Sequence, residues 1–140
     1  MCGLKFCSRF AIVPLSLVMG IIFMAHGSQK LFGWFGGHGL SGTAMFFQDK
    51  LGFAPGTLFA AMAGGSEFFG GLFLIIGIFC SFLRRIAGLL LAIVMMVAVF
   101  KVHLPNGLFA SNGGYEYPLA LLAAAIFFIL DDRQNGKKTE

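Results

Sequence analysis

Charge is scarce in this sequence. Asp, Glu, Lys and Arg make up 11% of the 140 residues, against about 25% in an ordinary soluble domain. That scarcity, together with 58% apolar residues and 18 Phe, excludes a small soluble globule. A folded chain of this length has too much surface for its volume to hide so much apolar area. Cysteine is scarce too: Cys2, Cys7 and Cys80 are the only three, and no two form a C-x-x-C pair. Thiol–disulfide exchange needs paired cysteines, so that chemistry is excluded and the three read as small inert residues. Walker, Rossmann and catalytic-triad patterns are missing. No His, Cys or carboxylate run has metal-ligand spacing; no metal is expected, and Met95-Met96 reads as packing.

What is present is four apolar runs, at about 10–32, 56–79, 86–104 and 115–131, in a single membrane domain over 1–140, with a polar tail at 132–140. A helix needs about 20 residues to cross the hydrocarbon core. In lipid the backbone must bond within its own segment, so runs of this length read as helices. The expected fold is an all-α membrane protein, four transmembrane helices in an antiparallel bundle. The fourth run is the shortest. Its apolar stretch, 117–130, has 14 residues, about 21 Å at 1.5 Å per residue. Pro118 suits the first turn of a helix, where no N–H is needed. Glu116 and the loop at 112–114 are therefore expected close to the outer mouth of the bundle. The first run resembles a signal peptide in its basic start and apolar core. The residues after that core, Met24-Ala25-His26-Gly27-Ser28, offer no A-x-A-like cleavage site, so it reads as a retained helix.

Charge placement sets the orientation. Lys5 and Arg9 precede the first run, Arg84 and Arg85 separate the second from the third, and Arg133, Lys137 and Lys138 follow the fourth. These are seven of the ten Lys and Arg residues; only Lys30, Lys50 and Lys101 fall on the other side. The positive-inside rule then puts both termini in the cytoplasm, with the three cysteines on the same reducing side. The net charge of +4 is explained by this anchoring and requires no nucleic-acid partner. Trp34, Tyr115 and Tyr117 fall at outer ends of spans, as an aromatic belt would. The outer loop at 33–55 opens with a glycine-rich stretch. It then carries a short interfacial helix at 41–51, with Met45, Phe46 and Leu51 toward the membrane surface and Gln48, Asp49 and Lys50 toward water.

Glu67 is the one charged residue between Thr57 and Phe82. A charge at the centre of a membrane helix costs roughly 2.5–3.5 kcal/mol on insertion scales, so it is expected to face inward and have a partner or a task. At 3.6 residues per turn its face carries Ala60, Ala63, Gly64, Gly70, Gly71 and Leu74, a small-residue stripe that lets another helix come close. His26 and Lys30 are four apart near the outer end of the first span and share a face. By helical rise His26 lies about 10 Å, and Glu67 about 16 Å, below the outer ends of their helices. The two are expected to meet if those helices are antiparallel neighbours. Lys101 and His103 close the third span, and Glu116 opens the fourth. All these groups lie in the outer half, while the inner half is apolar up to an Arg84-Arg85 corner. The pattern predicts an outward-facing polar pocket. Two readings stay open for it: a site for a polar or quinone-like headgroup or a proton relay, and a buried polar clasp that fixes helix register.

Four stretches then carry a family likeness: His26-Gly27-Ser28-Gln29-Lys30-Leu31-Phe32-Gly33, Glu67-Phe68-Phe69-Gly70-Gly71, Val102-His103-Leu104-Pro105-Asn106-Gly107 and Gly114-Tyr115-Glu116-Tyr117-Pro118. In order and spacing the sequence resembles the DoxX family of small bacterial inner-membrane proteins, which includes the DoxD-type subunit of thiosulfate:quinone oxidoreductase. The resemblance implies a four-helix, multi-pass protein of the bacterial inner (plasma) membrane. It also implies association with quinone-coupled sulfur oxidation or membrane redox assemblies. One departure is visible: many members end in a Gly-rich motif leading to Ser-Leu-Asp, and this chain reads Ile129-Leu130-Asp131-Asp132-Arg133.

The expected function is a redox-associated subunit that binds a quinone or similar small molecule in the outward pocket. Glu67 and His26 are the candidate catalytic residues and would handle protons. Lys30, Lys101, His103, Asn106 and Glu116 are the candidate substrate-binding residues. A quinone is the candidate cofactor. The partners are the lipid bilayer, a redox protein and, in a homo-oligomer, further copies of the chain. Two alternatives stand beside this: a small-molecule or proton transporter, and a non-catalytic assembly partner of a membrane redox complex.

Overall fold

A computed structural model describes residues 10–131 of the chain. The expected anchors Lys5, Arg9, Arg133, Lys137 and Lys138, the cysteines Cys2 and Cys7, and the tail at 132–140 lie outside the described residues. Within them the chain is helical and forms no strand. Helix α1 (Ile12–Phe32) is followed by a 3-10 turn (Trp34–Gly36). Helix α2 (Gly39–Met45) runs into a π-helical turn (Phe46–Lys50), and α3 is Gly56–Ile76. Helix α4 (Ser81–Val97) continues through a π-helical segment (Ala98–His103) and a 3-10 turn (Leu104–Asn106). A last 3-10 turn (Ala110–Asn112) leads to α5 (Glu116–Leu130).

Three of these helices are long and apolar enough to cross a membrane: α1, α3 and the continuous Ser81–Asn106 helix of 26 residues. The fourth apolar helix, α5, has 15 residues. It starts at Glu116 with Pro118 in its first turn, where the missing N–H is harmless.

Helices α1 and α3 pack antiparallel through glycine. Gly20 faces Gly71 and Gly27 faces Gly64 and Phe68; a Cβ on Gly27 would lie 2.8 Å from the Gly64 carbonyl oxygen. The stripe read from the sequence is the buried face of α3: Ala60, Ala63, Gly64, Glu67, Gly70, Gly71 and Leu74 are all buried. It serves two neighbours. Gly64 and Gly71 take α1, while Gly70 takes Leu91 of α4, whose Cδ2 would be 2.9 Å from an added Cβ. Helix α5 packs on α4, with Gly88 against Ala125 and Leu91, Ala92 and Met95 sharing a core with Leu121, Leu122 and Phe128.

Two expectations need correction. The third apolar helix does not begin near residue 86; it begins at Ser81, after a turn at Gly77–Cys80. Arg84 is therefore in the first turn of α4, beside the α3–α4 turn, and not in a loop. It is 1% exposed, and its two terminal nitrogens donate to Asp131 Oδ2 and to the Gly77 carbonyl, each at 2.7 Å. The Gly77 carbonyl belongs to the end of α3, where backbone acceptors lack helical partners, and Asp131 supplies the opposite charge from the end of α5. The corner that reads as a basic cytoplasmic anchor thus holds a buried ion pair.

The second correction concerns the helix in the first loop. It begins at Gly39 and changes to a π-helical turn at Phe46. Met45 and Phe46 are exposed as expected, but Leu51 is half-buried and Phe47 is buried. Phe47 begins an aromatic row with Phe53 and Phe59, at centroid separations of 6.1 and 5.0 Å. The segment is a wall packed on α1 and α3, held by Thr43 Oγ1 donating to the Lys30 carbonyl (3.4 Å) and by Gly56 N donating to Gln48 Oε1 (3.3 Å).

Candidate functional site

The packing leaves one half of the α3–α4 interface open. The two helices touch at Gly70–Leu91 and at Gly77–Arg84. Between their other halves lies a cavity of about 940 Å³, closed on a third side by α2 and its π-helical turn. Ligand sites commonly enclose about 300–1,000 Å³. Most of the wall is apolar: Phe47, Phe59, Val94 and Val97 are typical of it. Its polar groups come from Gln29 and Lys30 at the end of α1, from Thr43 on α2, from Ser66 and Glu67 on α3, and from His103 on the α4 extension, with His38, Asp49 and Lys50 also on the wall.

Lys30 Nζ donates to Glu67 Oε2 at 2.5 Å. The pair is asymmetric: the glutamate side chain is 3% exposed and the lysine side chain 29%. Glu67 is buried because Gly64, Gly70 and Gly71 bring α1 and α4 close around it. Lys30 reaches it because Gly27, one turn earlier on α1, lets the two backbones approach. An opposite charge at contact offsets the cost of carrying a carboxylate into an apolar helix. An ammonium has three N–H donors, so Lys30 keeps donors beyond the one used on Glu67.

His103 sits on the opposite wall with Nδ1 2.7 Å from the Gly113 carbonyl oxygen. A carbonyl only accepts, so Nδ1 carries the hydrogen, and in the neutral ring Nε2 is then the acceptor. Asn106 Nδ2 donates to the same carbonyl at 3.1 Å, and Glu116 Oε1 accepts from Ala110 N at 2.7 Å. Both residues brace the second loop and neither lines the cavity.

Of the seven residues singled out in the sequence, the fold brings Lys30, Glu67 and His103 onto one cavity. His26 and Lys101 are exposed and off its wall. For His26 the reason is angular. Residues four apart on an α-helix are offset by about 40°, and only the longer Lys30 side chain spans that difference to meet α3. The sequence reading passed over Ser66 and His38, and it placed Asp49 and Lys50 on the water-facing side of the first-loop helix without assigning them to a site. Ser66 was legible in retrospect, because 59, 62, 63 and 66 recur at helical spacing beside Glu67. His38 lies in a glycine-rich loop that no periodicity could place.

Described residues that form helices and no strand, three of those helices fit to cross a membrane, and a buried carboxylate paired beside a cavity point to a membrane protein with an internal small-molecule-sized space. The DoxX family model matches residues 11–104, and the chain belongs to the DoxX family. The match runs from the start of α1 to the 3-10 turn after α4, and so takes in Lys30, Glu67 and His103; Asn106, Glu116 and Asp131 lie beyond it. No curated protein and no solved structure matches the chain.

Proposed function

We propose that this DoxX-family protein is a redox-associated subunit of the bacterial inner membrane that binds a quinone or similar small molecule in the cavity between α2, α3 and α4. The observation that carries the proposal is the Lys30–Glu67 pair on the wall of a 940 Å³ cavity. A quinone carbonyl accepts hydrogen bonds, and Lys30 has donors to give. Reduction of a quinone takes up two electrons and two protons; Glu67, which accepts from Lys30 and fixes that ammonium at the wall, relays protons taken up from water to the bound head. The electrons come from a partner redox protein. His103, with Nδ1 fixed as the donor to Gly113, offers Nε2 from the facing wall. His26 has no part in this site.

In this reading the chain crosses the membrane four times, with both termini cytoplasmic as the positive-inside rule requires and the cavity in the outer half. Helix α5, at 15 residues, is about 22 Å long. It meets a hydrocarbon core of about 30 Å by local thinning and by the loop that precedes it. That loop bonds its own backbone: Tyr115 N donates to Gly107 O at 3.0 Å and Glu116 N to Leu108 O at 2.9 Å. Such pairing is what non-helical backbone near lipid needs.

The test is the organic extract of protein purified from its native membrane in mild detergent. Mass spectrometry is expected to find quinone in stoichiometric amount with the wild type and little with Glu67→Gln. Equal quinone in both, at the level of the surrounding lipid, contradicts the proposal.

A further inference from the structure

The cavity has two sides, and they differ in chemistry. Toward the loops it ends at His38, Asp49 and Lys50, which are exposed. Between α3 and α4 it ends at Met62 and Ile93. These two line the cavity and are 58% and 50% exposed, as Met45 and Phe46 are on the α2 side, so the apolar wall is open at its edges. A half-exposed apolar side chain on a cavity wall marks an opening in that wall. Depth identifies what lies outside that gap. Met62 is six residues into α3 from Gly56, and Ile93 is thirteen residues back from Asn106 at the end of the α4 helix. At 1.5 Å per residue these are about 9 and 20 Å from the helix ends, inside the hydrocarbon depth of helices that span a membrane. The gap therefore faces acyl chains.

We infer that the cavity is entered sideways from the lipid, between Met62 of α3 and Ile93 of α4, and that its ligand is a lipid-dissolved amphiphile: an oxygen-bearing head with an apolar chain. The inference rests on the reading of the cavity as a binding site and adds the route and the tail. The head lies against the polar wall at Lys30, Ser66 and Glu67, where Lys30 gives it an N–H. The chain lies along Phe59, Val94 and Val97 and leaves past Met62 and Ile93. Such a ligand never has to strip its chain from lipid and pass it through water, where every exposed CH₂ is unfavourable. A tail-less, water-soluble ligand gains nothing from this gap and would use the His38, Asp49 and Lys50 side.

The test compares two probes on the full chain: a long-chain isoprenoid quinone supplied in phosphatidylcholine vesicles, and a tail-less benzoquinone supplied in water. Met62→Trp and Ile93→Trp are expected to lower long-chain occupancy about tenfold, a loss of about 1.4 kcal/mol, while leaving the tail-less probe within about twofold. Leu89→Trp is the control, since Leu89 is 55% exposed on α4 and does not line the cavity; it is expected to change neither. Ile93→Ala widens the gap without adding bulk and is expected to speed long-chain uptake from the vesicles. Unchanged long-chain occupancy in both Trp variants, or unchanged uptake in Ile93→Ala, overturns the lateral route while binding of either probe to wild type keeps the cavity reading. Wild type that binds the tail-less probe and not the long-chain one overturns the amphiphile. Wild type that binds neither overturns the cavity reading itself.

Discussion

Two ion pairs lie toward opposite ends of the helix packing, and their surroundings differ. Arg84 and Asp131 are sealed, with side chains 1% and 2% exposed, and the arginine also holds the Gly77 carbonyl. That single guanidinium ties the end of α3, the start of α4 and the end of α5 together. Lys30 and Glu67 join only α1 to α3, and the lysine side is 29% exposed on a cavity wall. A sealed pair has no room to exchange partners, so its consequence is geometry. A pair with one open side can give a donor to something else, so its consequence is binding. The same two charge types thus serve different ends according to the space beside them.

The comparison is broken most severely at the sealed end. Arg84→Ala removes the guanidinium that holds both Asp131 and the Gly77 carbonyl and is expected to cost about 3–5 kcal/mol. Unfolding in detergent, followed by circular dichroism, measures this. Arg84→Met combined with Asp131→Leu removes both charges and is expected to recover most of that loss, because apolar replacement of a whole buried pair is often neutral. A smaller loss comes from Gly27→Val. Added bulk between α1 and α3 is expected to cost about 1–3 kcal/mol, and it should loosen the Lys30–Glu67 approach and reduce quinone content with it. Glu67→Gln keeps size and an acceptor for Lys30, so its stability cost is expected near 1 kcal/mol or below, while bound quinone falls sharply. A Glu67→Gln protein as unstable as Arg84→Ala would make the two pairs alike. The smallest effect belongs to His26→Ala, expected within about 0.5 kcal/mol of wild type with quinone content unchanged; loss of quinone there would bring His26 back into the site.

Much of this contrast could be read from the sequence, and the parts that could not have physical reasons. Periodicity identified α1 and α3 and placed Glu67 on its small-residue face, because helix packing is written in every third or fourth residue. Helical rise paired Glu67 with His26, whereas the residue that meets it is Lys30, one turn further along the same helix. The error at His26 came from treating residues four apart as equivalent when side-chain length decides which of them reaches. Arg84 was read by a rule for loop arginines, and that rule has no term for a carboxylate 47 residues further along. Asp131 stands at the end of the fourth apolar run, where nothing in the pattern marks it as the residue Arg84 needs. The cavity was legible only as a polar cluster. Its volume depends on where α3 and α4 stop touching and on the aromatic wall of α2, and neither leaves a periodic signal.

The central claim is that the open pair binds and the sealed pair only holds. Its most direct test is the unfolding temperature of wild type and Glu67→Gln in detergent, each with and without a tail-less benzoquinone at about 100 times its dissociation constant, where a ligand specific to the folded state adds about 2.7 kcal/mol. The account predicts a rise of several degrees in wild type and none in Glu67→Gln. No rise in wild type, or the same rise in both, would contradict it.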